Sequence, residues 1–254
     1  MKIGQIKVIP RKGKLSENQA TLMRILHTVN VNDIDVVITP ECFLDGYVCT
    51  ENHVTRDNID AYAIDPATSE FTAKVSAWAK ARATWVIFGC LRRDPTGIYN
   101  SALAYDRNGK LAAHYDKTHC QTHDLKYTTG NALPIFDSDL GPFGMMICAD
   151  RRWPETVRTL ALRGARIIFN PTYGMHDQRN LHMMQTRSYE SEVFIAFTHP
   201  QQALITDARG DIIVNNCDDN EEIVITEIDL SDVDMIRNGR SAHLRDRRHD
   251  LYQG

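Results

Sequence analysis

The feature that most constrains this chain is an alternation, from one end to the other, of short apolar runs with segments of helical period. Lys2–Ile9 reads as a strand, and Asp35–Thr39 as a buried one ended by Pro40. Trp85–Cys90, Tyr99–Tyr105 and Leu111–Tyr115 follow, the last two joined by a hairpin signal at Asp106–Lys110. Phe143–Ile147, Arg166–Phe169, Val193–Thr198, two short runs around the turn Asp207–Gly210, and Glu222–Ile228 complete the set. Between them lie helical segments. One is capped by Ser16 and Gln19 and runs to about Val29; one starts at Pro66 and runs to about Arg82; one starts at Pro154 and runs to about Arg163; the last spans Gln178–Glu192. No repeat, low-complexity tract or linker divides the series. Strands outnumber helices, which predicts two sheets packed together with helices outside: an α/β fold, in one domain over residues 1–239. The remaining 240–254 segment interleaves acids and bases, as a solvated or interface-forming tail does.

At 254 residues and 43% hydrophobic content, the chain can bury one substantial core. A formal net charge of −4 argues against a nucleic-acid or membrane-surface binder. Six cysteines without a Cys-x-x-Cys pair fit reduced, packed thiols better than a disulfide framework. The N-terminus lacks the unbroken apolar core of a signal peptide, and Lys80 and Arg82 interrupt the most apolar stretch. A soluble cytoplasmic protein is the expectation. His119, Cys120 and His123, and separately His176 and His182, show no closed zinc spacing. No phosphate-cradling or dinucleotide glycine motif is present. No metal and no cofactor are expected.

Three residues could carry chemistry. Cys148 ends an apolar run and is followed at once by a helix start, a junction that exposes a thiol to amide groups favouring its thiolate. Read alone, it is equally a small buried hydrophobe. Glu41 follows a strand and a proline, where desolvation raises a carboxyl toward general-base range; an ordinary surface acid gives the same signal. Lys117 ends the Leu111–Tyr115 strand, as many solvated lysines do.

Together they form a recognisable set. Pro40-Glu41 with Gly46-Tyr47, then Tyr115-Asp-Lys117-Thr-His119, then Gly144-Met-Met-Ile-Cys148-Ala-Asp150 with Trp153-Pro-Glu155, resemble the three signature blocks of the nitrilase, or carbon–nitrogen hydrolase, superfamily. Arg187 with Glu190 and the Gly210 turn resemble later landmarks, so the likeness spans nearly the whole chain. It implies a four-layer α-β-β-α sandwich and a metal-free, cofactor-free thiol mechanism. Glu41 would be the base and acid, Lys117 the cationic stabiliser and Cys148 the nucleophile. The Ala149 N–H would be an oxyanion donor. The chemistry asks for the same set: a base to make the thiolate and return a proton to the leaving amine, and a positive donor for the tetrahedral oxyanion. The resemblance also implies a homodimer or higher homo-oligomer, with the 240–254 tail contributing.

The sequence departs from that pattern in places. Where many relatives carry a second glutamate that orients the lysine, this chain offers His123 or Asp124 before Tyr127-Thr-Thr-Gly130. The segment between Lys117 and Gly130 is short, and Ala149 is smaller than the usual residue. Around the nucleophile, Cys148–Glu155 is most similar to N-carbamoyl-amino-acid amidohydrolases, whose arginines bind a substrate carboxylate, so Arg151 or Arg152 is a candidate for that task. Asn170, Thr172 and Tyr173 are candidates to line the pocket; a turn at Asn170-Pro171 is the alternative. The expected partner is a small amide or ureido substrate. A nitrilase, an acyl transferase, a catalytically silent binding protein and a histidine-based metal regulator are the competing readings.

Overall fold

The structure, a computed structural model, describes residues 1–28 and 34–252. The first sheet has the order β13 (Glu222–Glu227), β1 (Lys2–Lys7), β2 (Val36–Ile38), β4 (Trp85–Asp94), β5 (Gly97–Tyr105), β6 (Leu111–Asp116), with β3 (Ala63–Ile64) beside β4. The second runs β12 (Ile212–Cys217), β11 (Gln202–Thr206), β10 (Phe194–His199), β9 (Ile167–Pro171), β8 (Phe143–Met145), β7 (Ile135–Phe136). In each, a parallel centre (β1, β2 and β4; β8, β9 and β10) is flanked by antiparallel neighbours.

Because strand side chains alternate between faces, each central strand serves two cores at once. Val36, Ile38, Ile87, Ala102 and Ala104 face Phe143, Ile167, Phe169, Phe194 and Ala196 in a core between the sheets. Their neighbours Val37, Val86, Phe88 and Leu103 pack outward on α1 (Leu15–Thr28) and α2 (Glu70–Arg82). Ile168, Ile195 and Phe197 pack on α3 (Pro154–Leu162) and α4 (Gln178–Ser191). The layers are therefore α-β-β-α, as expected. Gln5 stitches the sheets across this core, its amide donating to the Phe197 carbonyl at 2.7 Å and the Thr198 hydroxyl at 3.0 Å.

Several boundaries move. Ser16 is inside α1, which begins at Leu15, and the expected end at Val29 lies outside the described residues. Pro66 does not open α2; it sits in the preceding turn, where its carbonyl accepts from the Thr72 hydroxyl at 3.0 Å. The strand expected at Phe143–Ile147 stops at Met145, because Ile147 already belongs to the turn that carries Cys148. The short helix α5 (Ser231–Arg237) was not anticipated: seven residues with two acids give little periodicity, and Arg237 anchors it by donating to the Glu192 and Ala165 carbonyls. Part of the 240–254 segment folds back on its own chain, where the buried Glu192 carboxylate accepts from the His243 and Leu244 amides. Among the described residues, no helix is long and apolar enough to cross a membrane.

Candidate active site

Glu41 owes its place to a missing side chain on the neighbouring strand. After β2 the chain turns against Gly89 of β4, so closely that a Cβ there would meet the Pro40 carbonyl at 2.5 Å and the Cys42 amide at 2.6 Å. Thr39 fastens the approach, its hydroxyl accepting from the Gly89 amide at 3.0 Å. Glu41 is thereby buried at the end of the first sheet. Lys117 arrives one residue past β6, its amide bound to the Asn100 carbonyl of β5 at 2.9 Å. The Asn100 side chain donates to Glu41 Oε1 at 2.8 Å, so one residue locates both charges.

Lys117 Nζ donates to Glu41 Oε1 at 2.9 Å and to Asp124 Oδ2 at 2.6 Å, all three side chains being fully buried. Burial alone would lower the lysine pKa, but Glu41, the Cys148 sulfur and Asp124 raise it well above its ordinary value. The ammonium therefore stays charged. Asp124 is placed by its own turn, where it accepts from the Gln121 amide at 3.0 Å. Of the two residues offered for the missing glutamate, it is Asp124 that touches the lysine. His123 instead meets the Tyr47 hydroxyl at 2.8 Å, with its Nε2 3.6 Å from Asp124 Oδ1.

Cys148 comes from the second sheet. It starts a 3-10 turn, Cys148–Arg152, with φ +45°, a left-handed conformation costly for a residue with a Cβ. Asp150 holds that turn by accepting from the Ile147 amide at 2.8 Å, and Arg151 donates to the Cys148 carbonyl at 2.5 Å. Ala149 follows in the first turn, where amide groups have no acceptor within the helix. The thiol pKa is raised by burial first and by Glu41 second, while Arg151 and Lys117 oppose the rise. It rests as the thiol and needs a base.

Gly174 leaves room beside the buried sulfur: a Cβ there would stand 3.2 Å from Cys148 Sγ. The same glycine lines a cavity of about 410 Å³ with Tyr173, Met175, His176 and His199. Neither this cavity nor the larger hollows, of about 800 Å³ between α1 and α2 and about 780 Å³ between α3 and the C-terminal segment, is lined by Glu41, Lys117 or Cys148.

The remaining candidates divide. Tyr173 belongs to the site, donating its amide to Glu41 Oε2 at 3.0 Å and stacking on Tyr47 at 4.9 Å. Asn170 and Thr172 are fully buried and bond the Met146 and Asn170 carbonyls. Arg151 is buried over Phe197 and spends its guanidinium on Asn180, Cys148 and Met175. Arg152 is exposed. Arg187 of α4 clamps this turn through the Arg151 and Arg152 carbonyls. Sequence reading missed Asn100, although a polar residue inside the apolar run Tyr99–Tyr105 was a usable signal, and gave no role to Tyr47, which it had quoted beside Glu41. Among the described residues, no cluster of three His, Cys, Asp or Glu side chains could hold a metal ion.

The model of the carbon–nitrogen hydrolase family matches residues 3–238. The chain belongs to that family. As a carbon–nitrogen hydrolase it is similar to a nitrilase of Pyrococcus abyssi, at 25% identity over 99% of each chain. It is also similar to a chloroplastic omega-amidase of Arabidopsis thaliana, at 26% identity over 86% of this chain and 64% of that one. Among solved structures, an amidase from Nesterenkonia sp. superposes with a TM-score of 0.78 at 18% identity, covering 99% of this chain and 95% of the other. The protein is thus an enzyme of the nitrilase superfamily, a hydrolase of carbon–nitrogen bonds.

Proposed function

We propose that the enzyme releases ammonia from a small molecule ending in a carboxamide or carbamoyl group, through a thioester on Cys148. The observation that carries this reading is the convergence of a buried thiol from one sheet with a buried carboxylate and ammonium from the other, close enough for Glu41 and Lys117 to act on the Cys148 thiol in opposite directions. Glu41 takes the Cys148 proton as the sulfur attacks the carbonyl carbon. Lys117 and the Ala149 N–H receive the oxyanion. As the tetrahedral intermediate collapses, Glu41 returns the proton to the departing nitrogen and ammonia leaves. Glu41 then activates a water that cleaves the thioester, releasing the acid and the thiol. Asp124 serves as the residue that orients Lys117.

Among substrates we favour N-carbamoyl amino acids, with omega-amides next; both carry a carboxylate at a distance from the attacked carbon. Arg152 is the better candidate to meet it, because Arg151 is already committed to protein acceptors. We further propose a cytoplasmic homodimer in which the 240–254 segment contributes to the interface, which sedimentation of full-length and truncated chains would test. A screen of N-carbamoyl amino acids, omega-amides, neutral amides and nitriles for ammonia release, with acyl-enzyme trapped on Cys148, tests the activity. Turnover that survives Cys148→Ala refutes the mechanism; a clear preference for neutral amides or nitriles refutes the substrate.

A further inference from the structure

Tyr173 has a main chain bound at both ends. Its amide donates to Glu41 Oε2, and its carbonyl lies 3.0 Å from Nε2 of His199, the last residue of β10. The other imidazole nitrogen, Nδ1, is 3.0 Å from the Gln201 amide, which can only donate. That contact makes Nδ1 the acceptor and puts the proton on Nε2, where it is given to the Tyr173 carbonyl. The ring is buried and stacked on His176 at 4.0 Å. Burial first, then His176, holds its pKa at about 3, so the neutral tautomer persists through the working range.

The arrangement runs from the second sheet, through one residue, to the carboxylate of the first. It matters because the next residue is Gly174, whose backbone has the widest conformational freedom. The ring of Tyr173 is held by stacking on Tyr47, but a ring contact does not set the direction of the amide. His199 does.

We propose that His199 is a positioning residue for Glu41, acting through the Tyr173 main chain to keep Glu41 Oε2 in register with the Cys148 sulfur. The inference rests on Glu41 being the base of the reaction. It assigns His199 an effect on proton transfer and not on substrate affinity.

Side-chain geometry supplies the test. Glutamine at 199 can place an amide N–H near the position of Nε2, whereas asparagine reaches only that of Nδ1, and phenylalanine keeps the ring without either. His199→Phe and His199→Asn should lower kcat about ten- to hundredfold with KM within about twofold, and His199→Gln should stay within about threefold of wild type. All should melt cooperatively. Alkylation of Cys148 by iodoacetamide gives a readout independent of substrate: it should slow in Glu41→Gln, slow in His199→Phe and His199→Asn, and recover in His199→Gln. Equal losses in the glutamine and asparagine variants, or a change in KM alone, would overturn the proposal. If Glu41→Gln slows alkylation and no His199 variant does, the positioning role fails while the base stands. If Glu41→Gln itself alkylates at the wild-type rate, the base assignment fails and the proposal falls with it.

Discussion

Two buried carboxylates flank the same site, and their surroundings differ in one respect. Asp150 accepts from the Tyr115 hydroxyl, the Ile147 and His119 amides, the Thr118 hydroxyl and the His119 ring, which occupies both oxygens fully. Glu41 accepts from Lys117, Asn100 and Tyr173, which leaves one lone-pair position open. A carboxylate ion has room for about four hydrogen bonds. The saturated group shapes the loop of Cys148, the proposed nucleophile; the group with a position to spare can take a proton. Hydrogen-bond saturation, more than burial or charge, separates scaffold from chemistry here.

The contrast can be broken most sharply at the proposed reacting groups. Cys148→Ala and Glu41→Gln should each lower kcat by more than about a thousandfold, with urea denaturation midpoints near wild type. Turnover in Glu41→Gln within tenfold of wild type would remove the distinction. Asp150→Asn should do the opposite, lowering unfolding free energy by about 3 kcal/mol, because it leaves buried donors without an anion. If its stability matches wild type while kcat collapses, Asp150 belongs with the chemistry.

Asp124→Asn sharpens the comparison from the lysine's side. It should reduce kcat about ten- to hundredfold and change KM little, as loss of an interaction needed in the transition state does. The two arginines provide a milder test. Arg151→Met should lower activity on acidic and neutral amides alike, together with stability, since its partners are protein carbonyls and Asn180. Arg152→Ala should fold normally and weaken kcat/KM only for carboxylate-bearing substrates, by up to about tenfold.

A further test concerns a third carboxyl. Burial first, countered by the Val48 amide and aided by Glu41, raises Asp45 from 3.8 to about 7. A raised carboxyl pKa stabilises the fold below the unfolded value and ceases to do so as pH rises through the folded one. Unfolding free energy should therefore carry a downward slope between about pH 4 and pH 7, at most about 1.4 kcal/mol per unit, that Asp45→Asn removes. Parallel curves for the two proteins would place the proton elsewhere.

Much of this was legible in the sequence for a physical reason. Apolar runs of strand length, with prolines and glycines between them, specify where strands end, and the reacting residues stand at strand ends. Glu41, Lys117 and Cys148 stand at such ends, but each was ambiguous alone and it was their resemblance, in order, to the nitrilase signature blocks that singled them out. The layer order was legible too, because strands such as Val36–Ile38 are apolar on both faces and must be covered twice. What could not be read was which polar groups share a partner. Arg151 and Arg152 are adjacent and chemically identical, yet one is buried beneath α4 and the other is exposed, a difference set by Asn180 and Phe197 far along the chain. His199 gave no signal of its own, since its partners are a carbonyl past the end of β9 and an amide in the following turn.

The site's bonds join residues far apart in the chain: 76 positions separate Lys117 from Glu41, and 132 separate Tyr173 from Glu41. A polypeptide emerging from the ribosome holds the base and the ammonium long before the segment that braces them exists. Contacts of such span form late, because the loops they close must first be gathered. Under the proposed mechanism, the thiol therefore becomes an efficient nucleophile only when both sheets have docked. Activity at Cys148 is in that sense a record of completed folding, and refolding followed by alkylation rate should trail the recovery of secondary structure.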